Sequence, residues 1–461
     1  MKFSLAGFNR TKASRVAFDA ATFLLVRGNT RQRRSEAMKR SGVCAIVALA
    51  STLLIEPALA EIIALKAGHL IDPATATVSQ NKIVLIEGAK IVDVVDRMPV
   101  PAPARVIDLS ASWVLPGLMD LHTHLSYDYT AALCTNYLAH GNGYRTLMGL
   151  RNAQDMLRAG FTTVRDVGNA GQYADTDLRR AIEAGLFVGP TIVNAGKIIA
   201  PFGGQQDAVS HDVGPCWNYE YIDADGVEEV RKAVRTNLFY GARVIKLVSD
   251  ARGGTHGVYT EEEIRVAAEE AHRAGVTLAV HAKDDLTAKA AVLGGADSIE
   301  HAYAVTDPVL KLMKQKGTYL VNTDIPLSHV LAGNPANPAV ARERARAKLA
   351  RLRRAYDLGV LIAFGTDVTH DLPGRDRGRM SLDFIDVWLE AGIGSPYIVK
   401  AMTTHGARLM RIDGERGAIA KGQYADLIAT PANPLDDARV LAEVSFVMKE
   451  GRVVARTGSP E

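Results

Sequence analysis

The sequence of 461 residues lacks a strong excess of either charge. Its 54 Lys and Arg nearly balance its 51 Asp and Glu, which gives a net charge of +3. Residues 1–60 carry 10 of the basic residues and only 3 of the acidic ones, so the remainder has a net charge of about −4. A chain without a basic surplus has no electrostatic basis for binding nucleic acid, and we expect no such partner.

The sequence also lacks a comfortable membrane-spanning run. An apolar segment from about Val43 to Ile55 follows two basic residues and precedes the small-residue ending Ala58-Leu59-Ala60. This pattern predicts a secretory signal peptide over residues 38–60, cleaved after Ala60. A membrane anchor is the alternative, but the segment is short for a span. We therefore expect a periplasmic or secreted protein that keeps no stable membrane span after cleavage.

Residues 1–37 precede this signal with scattered basic residues and no clear periodicity. Either an upstream start codon was chosen for the reading frame, or the segment is an extension that is lost with the signal. Both interpretations make residues 1–37 a non-structural extension, and they are excluded from the predicted fold.

Two kinds of hydrophobic pattern follow residue 60. Short strand-like runs separated by turns occupy residues 61–115 and return at 410–461, which predicts a small β-sandwich domain assembled from both chain ends. Between them, eight short apolar runs alternate with helical segments, which predicts an α/β fold with a (β/α)₈ TIM barrel over 116–409. The composition, 48% hydrophobic, is sufficient for one large and one smaller core.

Two of the barrel helices can be predicted in detail from the sequence. Thr260 with Glu263 three residues later forms a capping-box pattern, and this helix is expected to stop near Gly275. The basic segment at 339–359 carries an apolar stripe at helical spacing, which predicts a solvated outer helix in preference to a binding patch. The stripe consists of Ala345, Leu349, Leu352 and Tyr356.

Histidine, lysine and aspartate recur where the predicted barrel strands end, which is where barrel enzymes carry their active sites. His122 and His124 lie two apart on the first strand, so their side chains share a face. Two neighbouring imidazoles suit a Zn²⁺-class ion. Each residue alone has a structural explanation, such as a core histidine or a helix cap. Their joint placement at strand ends predicts a metal site, and the set is His122, His124, Lys246, His281, His301 and Asp367.

On these motifs the chain resembles the amidohydrolase superfamily of metal-dependent hydrolases. The motifs are "PGLMDLHTHL", "VIKLV", "VHA", "IEHA" and "GTD" on strands one, four, five, six and eight. The resemblance implies two divalent ions: His122, His124 and Asp367 on one, His281 and His301 on the other, and Lys246 across both as N6-carboxylysine. Zinc is the expected ion, although manganese or cobalt would suit the ligands. Asp367 is implied as the catalytic proton-transfer residue.

The position of Lys246 on a buried strand supports the carbamate independently of the resemblance. Burial disfavours the charged form of a strand lysine and leaves a nucleophilic amine. Reaction of that amine with CO₂ replaces a cation with an anionic carboxylate, whose two oxygens can bridge two ions.

Within the superfamily, "TTVRDVG", "GGQQD" and the "VRKAVRTNLFYGARVIKLV" run are similar to the prolidase-like branch. This resemblance implies hydrolysis of an amide or peptide bond next to a C-terminal amino acid, with dipeptides such as Xaa-Pro, N-acyl amino acids and ochratoxin-type amides as substrates. Many relatives have a histidine where this chain has Gln205, and the loop "DARGGTHGVYT" also departs from their pattern. Substrate preference is therefore not transferred from the resemblance.

Groups for the substrate carboxylate are sought on segments expected at the barrel mouth: His140, Arg252, Tyr259 and Tyr303. Cys44 leaves with the signal, and Cys134 and Cys216 remain in an oxidising compartment. Both follow strands of the same barrel face, so a disulfide between them is predicted, with two unrelated buried thiols as the alternative. The expected partner is a small-molecule substrate, and a homo-oligomer is left open.

Two competing functions remain. A cyclic-amide hydrolase is one, either imidazolonepropionase-like or hydantoinase-like. The imidazolonepropionase-like version uses one metal and lacks the strand-four lysine, so Lys246 argues against it, whereas the hydantoinase-like version keeps that lysine. A barrel that binds a peptide without catalysis is the other, but it requires a missing ligand, and all six ligands are present.

Overall fold

The computed structural model describes residues 61–96, 103–127, 138–205, 212, 214–250 and 259–456. These residues belong to one compact unit. The predicted extension 1–37 and signal peptide 38–60 lie outside the described residues, so both stay predictions. The predicted domain limits at 115/116 and 409/410 likewise stay predictions.

The two chain ends build one β-sheet of seven strands, in the order β17-β16-β15-β4-β1-β2-β3. A register shift between Ala67 and His69 interrupts the pairing of β1 with β4, as expected where long strands bend. Side chains from β1 to β4, β15 and β16 share one hydrophobic cluster, as expected for a sheet folded over its own core. The strands are β1 Ile62–Asp72, β2 Thr77–Glu87, β3 Lys90–Asp96, β4 Ala104–Pro116, β15 Leu427–Thr430, β16 Phe446–Lys449 and β17 Arg452–Arg456.

The middle of the chain supplies parallel strands in two sheets, ordered β5-β6-β7 and β14-β13-β12-β11-β10-β8-β9. Every strand pair within them is parallel, as helical crossovers require. The strands are β5 Leu118–Thr123, β6 Phe161–Asp166, β7 Thr191–Asn194, β8 Ile198–Ala200, β9 Tyr221–Asp223, β10 Val244–Val248, β11 Thr277–Ala282, β12 Ser298–His301, β13 Tyr319–Asn322 and β14 Ile362–Phe364.

Backbone hydrogen bonds join these two sheets at both seams. The Asp367 amide donates to the His122 carbonyl over 2.7 Å, and the Arg243 amide donates to the Asn194 carbonyl over 2.7 Å. The strands thus follow each other around a (β/α)₈ barrel, and the predicted α/β fold class is confirmed.

Helices separate most of the consecutive barrel strands, except that β8 follows β7 after three residues and a 3₁₀ helix precedes β9. The predicted capping box is present at the start of α4, where the Thr260 side chain accepts from the Glu263 amide and the Glu263 carboxylate accepts from Thr260. Helix α8 is the predicted basic helix, and Leu352 of its stripe is fully buried. The helices are α1 Asn142–Arg158, α2 Ala174–Glu183, α3 Val227–Tyr240, α4 Glu261–Arg273, α5 Asp285–Leu293, α6 Asp307–Lys316, α7 Leu327–Ala332, α8 Pro338–Leu358, α9 Arg377–Leu382, α10 Ile385–Glu390, α11 Ser395–Ala401 and α12 Thr404–Leu409.

The barrel interior is filled beneath the strand ends. Val244 and Ala279 belong to one buried cluster, and they lie two residues before Lys246 and His281 on β10 and β11. Residues two apart on a strand face the same side, so this apolar layer supports the polar residues above it. None of the helices in the described part of the chain is long and apolar enough to cross a membrane.

Candidate metal centre

The six sequence-predicted ligands line one cavity at the carboxyl ends of the barrel strands. Its volume is about 270 Å³. β5 positions His122 and leads into His124, β10 carries Lys246, β11 carries His281, β12 ends at His301, and Asp367 follows β14. The strand ends thus bring together residues that are up to 245 positions apart in the sequence.

Asp367 lies among three of the histidines. Its carboxylate oxygens are 3.7 Å from His122 Nε2, 3.3 Å from His124 Nε2 and 3.9 Å from His301 Nδ1. Candidate ligand atoms of His122, His124 and Asp367 all lie within 4.8 Å of one another. His281 completes the group, with its ring centroid 4.3 Å from that of His301.

Partners behind the rings fix the orientation of the imidazoles. His122 Nδ1 is 2.7 Å from a Glu300 oxygen, and His124 Nδ1 is 2.9 Å from the Gly168 carbonyl oxygen. Carboxylate and carbonyl oxygens only accept, so Nδ1 of each ring carries the proton and Nε2 presents its lone pair to the cavity. This arrangement is characteristic of metal-binding histidines.

His281 is oriented in the opposite sense. Its Nε2 is 2.8 Å from an Asp250 carboxylate oxygen, and Asp250 also lies 3.5 Å from the Lys283 ammonium. The Asp250 carboxylate favours a proton on Nε2, which would leave the Nδ1 lone pair as the donor for an ion. The Gln205 side-chain amide lies 2.9 Å from the same Nε2, and it accepts from a protonated Nε2 only through its oxygen.

Lys246 is the residue that most needs a partner. It is only 2% exposed, and its Nζ has no hydrogen-bond partner among the described residues. Burial lowers the pKa of Lys246 to about 8. An unpaired ammonium at such a site is costly, whereas a carboxylated amine would place an anion among neutral imidazoles. The donor set and the orphaned Nζ therefore fit a centre of divalent ions bridged by a lysine carbamate.

Protonation states in the cavity also suit metal binding. Burial, with the charge of Lys246, lowers the pKa of His122 to about 4, and burial lowers the pKa of His281 and His301 as well. Burial by itself would raise the pKa of Asp367, but the neighbouring His122 and His124 hold it well below its usual range. Neutral imidazoles and an ionised carboxylate are the forms that bind divalent ions.

Two of the candidate ligands have a strained backbone. His301 and Asp367 have φ angles of +76° and +54°, and Ala302 has +50°. Non-glycine residues in this left-handed region cost on the order of 1–3 kcal/mol each and persist where surrounding contacts impose them. The backbone bond from Asp367 to the His122 carbonyl is one such contact.

The predicted substrate contacts are placed differently from one another. Tyr303 lines the cavity, and its hydroxyl lies 3.2 Å from Thr323 Oγ1. Tyr259 is buried in the main core, and its hydroxyl donates to the Ala224 carbonyl over 2.8 Å, so it does not reach the cavity. His140 stacks on Tyr144 with a centroid distance of 4.3 Å and does not line the cavity among the described residues.

Two further predictions fall on segments outside the described residues. Arg252 is one, and Cys134 is the other. Cys216 lies at the start of the 3₁₀ helix Cys216–Tyr219 and is disulfide-bonded. Its pairing with Cys134 stays a prediction.

Several residues at the cavity were not predicted from the sequence. Tyr127, Glu220 and Lys283 line the cavity, while Glu300 and Asp250 stand behind His122 and His281. Lys283 could have been predicted to lie at the cavity, because it lies two residues after His281 and shares its face. Glu220 could not have been predicted in this way, because the connection between β8 and β9 that brings it to the cavity has no distinctive sequence pattern.

Comparison with known proteins agrees with this architecture. Residues 113–454 match the model of the Amidohydrolase family. An ochratoxinase from Aspergillus niger is 29% identical over 382 residues, which cover 75% of this chain and 76% of that protein. The crystal structure of a Xaa-Pro dipeptidase with bound methionine in the active site superposes with a TM-score of 0.76 at 30% identity, covering 85% of this chain and 99% of that one. An imidazolonepropionase from Kosmotoga olearia is 25% identical, covering 82% of this chain and 92% of that protein.

The barrel and its cluster of imidazoles and carboxylate define a metal-dependent hydrolase. The chain belongs to the amidohydrolase family. It is accordingly an enzyme that hydrolyses carbon–nitrogen amide bonds in small-molecule substrates.

Glu300 offers a test of the support behind His122. It is fully buried and bonds both His122 and, over 2.7 Å, Arg165. Glu300→Gln removes the charge and keeps the shape, so we expect metal affinity to fall by about 10- to 100-fold. Competition with a chelator measures this. Glu270→Gln is the matched control: Glu270 is also buried and is bonded to three arginines, but it lies on α4 and does not line the cavity. Equal metal affinity in the two variants would contradict the role of Glu300.

Proposed function

We propose that this protein is a secreted binuclear amidohydrolase that cleaves the amide bond next to a C-terminal amino acid. The observation that carries the proposal is the single cavity that collects four imidazoles, the Asp367 carboxylate and the unpartnered Lys246 amine. Similarity to a Xaa-Pro dipeptidase and to an ochratoxinase supports the substrate class.

We assign the ligands to two ions, following the resemblance to two-metal amidohydrolases. His122, His124 and Asp367 would hold one ion, His281 and His301 the other, and carboxylated Lys246 both. Two such ions polarise a carbonyl and acidify a water molecule. Zinc suits the imidazole-rich set, and manganese or cobalt is compatible with it.

Lys246 would provide the bridging carbamate, and Asp367 would transfer the proton of the attacking water. The neutral Lys246 amine attacks CO₂, forms a nitrogen–carbon bond and loses one proton to solvent, which leaves an anionic carbamate. Asp367, ionised and within 4 Å of three imidazoles, accepts the proton of the attacking water. It then donates this proton to the departing amine nitrogen, so the amide bond breaks without expelling an amide anion.

Groups that can carry opposite charges flank the ligands within the cavity. The hydroxyl of Tyr127, whose ring stacks on His124 at 4.4 Å, donates to the Glu220 carboxyl group. Lys283 lies on the His281 side, paired with Asp250. A dipeptide carries an ammonium on the acyl side of its amide bond and a carboxylate on the amine side. We therefore assign Glu220 to the ammonium and Lys283 to the carboxylate, which favours dipeptides over N-acyl amino acids.

The protonation of Glu220 fits this assignment. Burial raises its pKa to about 8, against the hydrogen bonds from Tyr127 and Tyr221. The carboxyl group thus avoids an isolated buried charge when no cation is near. An arriving ammonium favours ionisation, and the two tyrosine hydroxyls are already arranged to donate to the anion.

Glu220→Gln should separate the two substrate types. A charge-assisted hydrogen bond contributes about 1.5–3 kcal/mol, so we expect kcat/KM for a dipeptide with a free amino group to fall by about 10- to 100-fold. The same dipeptide with an acetylated amino group is the matched control and should lose little. Steady-state kinetics on both substrates decides the matter, and an equal loss on both would remove the ammonium assignment.

The whole proposal is tested by metal analysis combined with a substrate screen. We expect about two divalent ions per chain and turnover of dipeptides or N-acyl amino acids, with ochratoxin-type amides in the same panel. Turnover of cyclic amides alone would favour the hydantoinase-like alternative. The signal-peptide pattern at 38–60 supports export, and a mature protein that begins at Glu61 in the periplasmic fraction is the expected result.

A further inference from the structure

A second pair of histidines lies outside the metal centre. His329 is on α7, which follows β13, and His370 lies three residues beyond Asp367 in the segment after β14. Their ring centroids are 5.4 Å apart with an interplanar angle of 78°. The metal-centre pair His122 and His124 has nearly the same geometry, 5.3 Å and 69°.

Each of these rings keeps one buried nitrogen without a partner. Nδ1 of His329 and Nε2 of His370 have no hydrogen-bond partner among the described residues. His329 as a whole is only 4% exposed. Buried polar atoms are nearly always satisfied by protein, water or an ion, so two orphaned nitrogens on adjacent rings need a common explanation.

The other nitrogen of His329 is held as in a metal ligand. Its Nε2 lies 2.9 Å from an Asp383 oxygen. The carboxylate keeps the proton at Nε2 and leaves the Nδ1 lone pair exposed to an ion, as Glu300 does for His122 with the two nitrogens exchanged. Burial also lowers the pKa of His370, so its imidazole is neutral at neutral pH.

We propose that His329 Nδ1 and His370 Nε2 bind one divalent transition ion of the zinc class at a site separate from the catalytic cavity. Imidazole nitrogen is a preferred ligand of such ions, and water completes the coordination. Charges nearby are of both signs: Asp383 pairs with Arg375, and Arg377 lies 3.9 Å from Asp371.

An ion at this site would tie α7 to the segment that carries Asp367. Those two segments follow adjacent barrel strands, β13 and β14. The ion would therefore stabilise the folded protein, because it binds both segments only in the native arrangement. This inference does not depend on the substrate class.

The test counts zinc ions on the full-length mature enzyme after equilibration with a small excess of zinc and gel filtration. We expect one ion more per chain in the wild type than in His370→Gln or His329→Gln. Zinc should also raise the melting temperature of the wild type above that of either variant. His272→Gln is the matched control, because His272 Nε2 also lies near a carboxylate, at 2.7 Å from Asp297, and should keep the extra ion.

His370 is less buried than His329, so His370→Gln serves if the buried substitution prevents folding. Retained amide hydrolysis in a His370→Gln variant that has lost one ion would distinguish this site from the catalytic one. Equal zinc content in the wild type and folded His370→Gln would overturn the proposal, whatever the activity.

Discussion

Lys246→Ala is expected to lower kcat/KM by about a thousandfold or more and to remove bound metal from the enzyme. Bridged ions contribute several kcal/mol of transition-state stabilisation, and each ~1.4 kcal/mol is a factor of ten in rate. The alanine removes the atom to which the carbamate would be attached, on a strand whose packing is otherwise apolar. Metal content by elemental analysis and kcat/KM on a dipeptide measure the two effects together.

A matched control is available on β16, in the sheet that both chain ends build. Lys449 is also a buried strand lysine, but its ammonium is bonded to Asp426 at 3.0 Å. Lys449→Met should lower stability, because it leaves Asp426 without that partner, and should keep the metal content and kcat of the folded fraction. A short carboxylic acid added to the Lys246→Ala enzyme should partly restore its metal content and kcat/KM, since the acid can supply the missing carboxylate. Unchanged turnover and metal content in Lys246→Ala would overturn the proposed mechanism.

Asp367→Asn is expected to lower kcat by about 100- to 10,000-fold, the range that general acid–base catalysis contributes. Asparagine keeps an oxygen in the same place but cannot take a proton from water. KM should change much less than kcat, because the assigned substrate contacts, Glu220 and Lys283, are intact. The measurement is steady-state kinetics at saturating metal.

The pH profile separates proton transfer from a purely structural role. In the variant, the remaining rate should keep rising with pH, because solvent hydroxide must replace the missing base. The circular dichroism spectrum and melting temperature report whether the fold is preserved. Wild-type kcat in a metal-loaded Asp367→Asn enzyme would exclude Asp367 as the proton-transfer residue.

Most of the candidate site was predictable because its residues lie at the ends of barrel strands. His122, Lys246, His281 and His301 lie in strongly patterned strands, and His124 and Asp367 follow shortly after such strands. Each strand places its carboxyl end at the same rim of the barrel. The strand pattern was therefore sufficient to predict that these residues converge. The capping box of α4 was legible for a similar reason, since it depends on residues three positions apart.

Loop residues were less predictable. Tyr259 was expected at the mouth because it follows a mouth-side loop, yet its hydroxyl turns to the Ala224 carbonyl. The direction of one side chain at a loop end depends on local packing that no periodic pattern records. Glu220 shows the converse case, because it reaches the cavity from an irregular segment between strands.

The sequence by itself determined the barrel, the sheet built from both ends and the candidate ligands, because hydrophobic periodicity and strand-end chemistry are local properties. Only the tertiary structure decided which nitrogen of His122 and of His124 faces the cavity, since that depends on Glu300 and Gly168 from distant segments. It also decided that Glu220 and Lys283 line the same cavity and that His329 approaches His370. Such contacts between distant segments follow from how the strands and helices pack, and packing is not recorded in any single stretch of sequence.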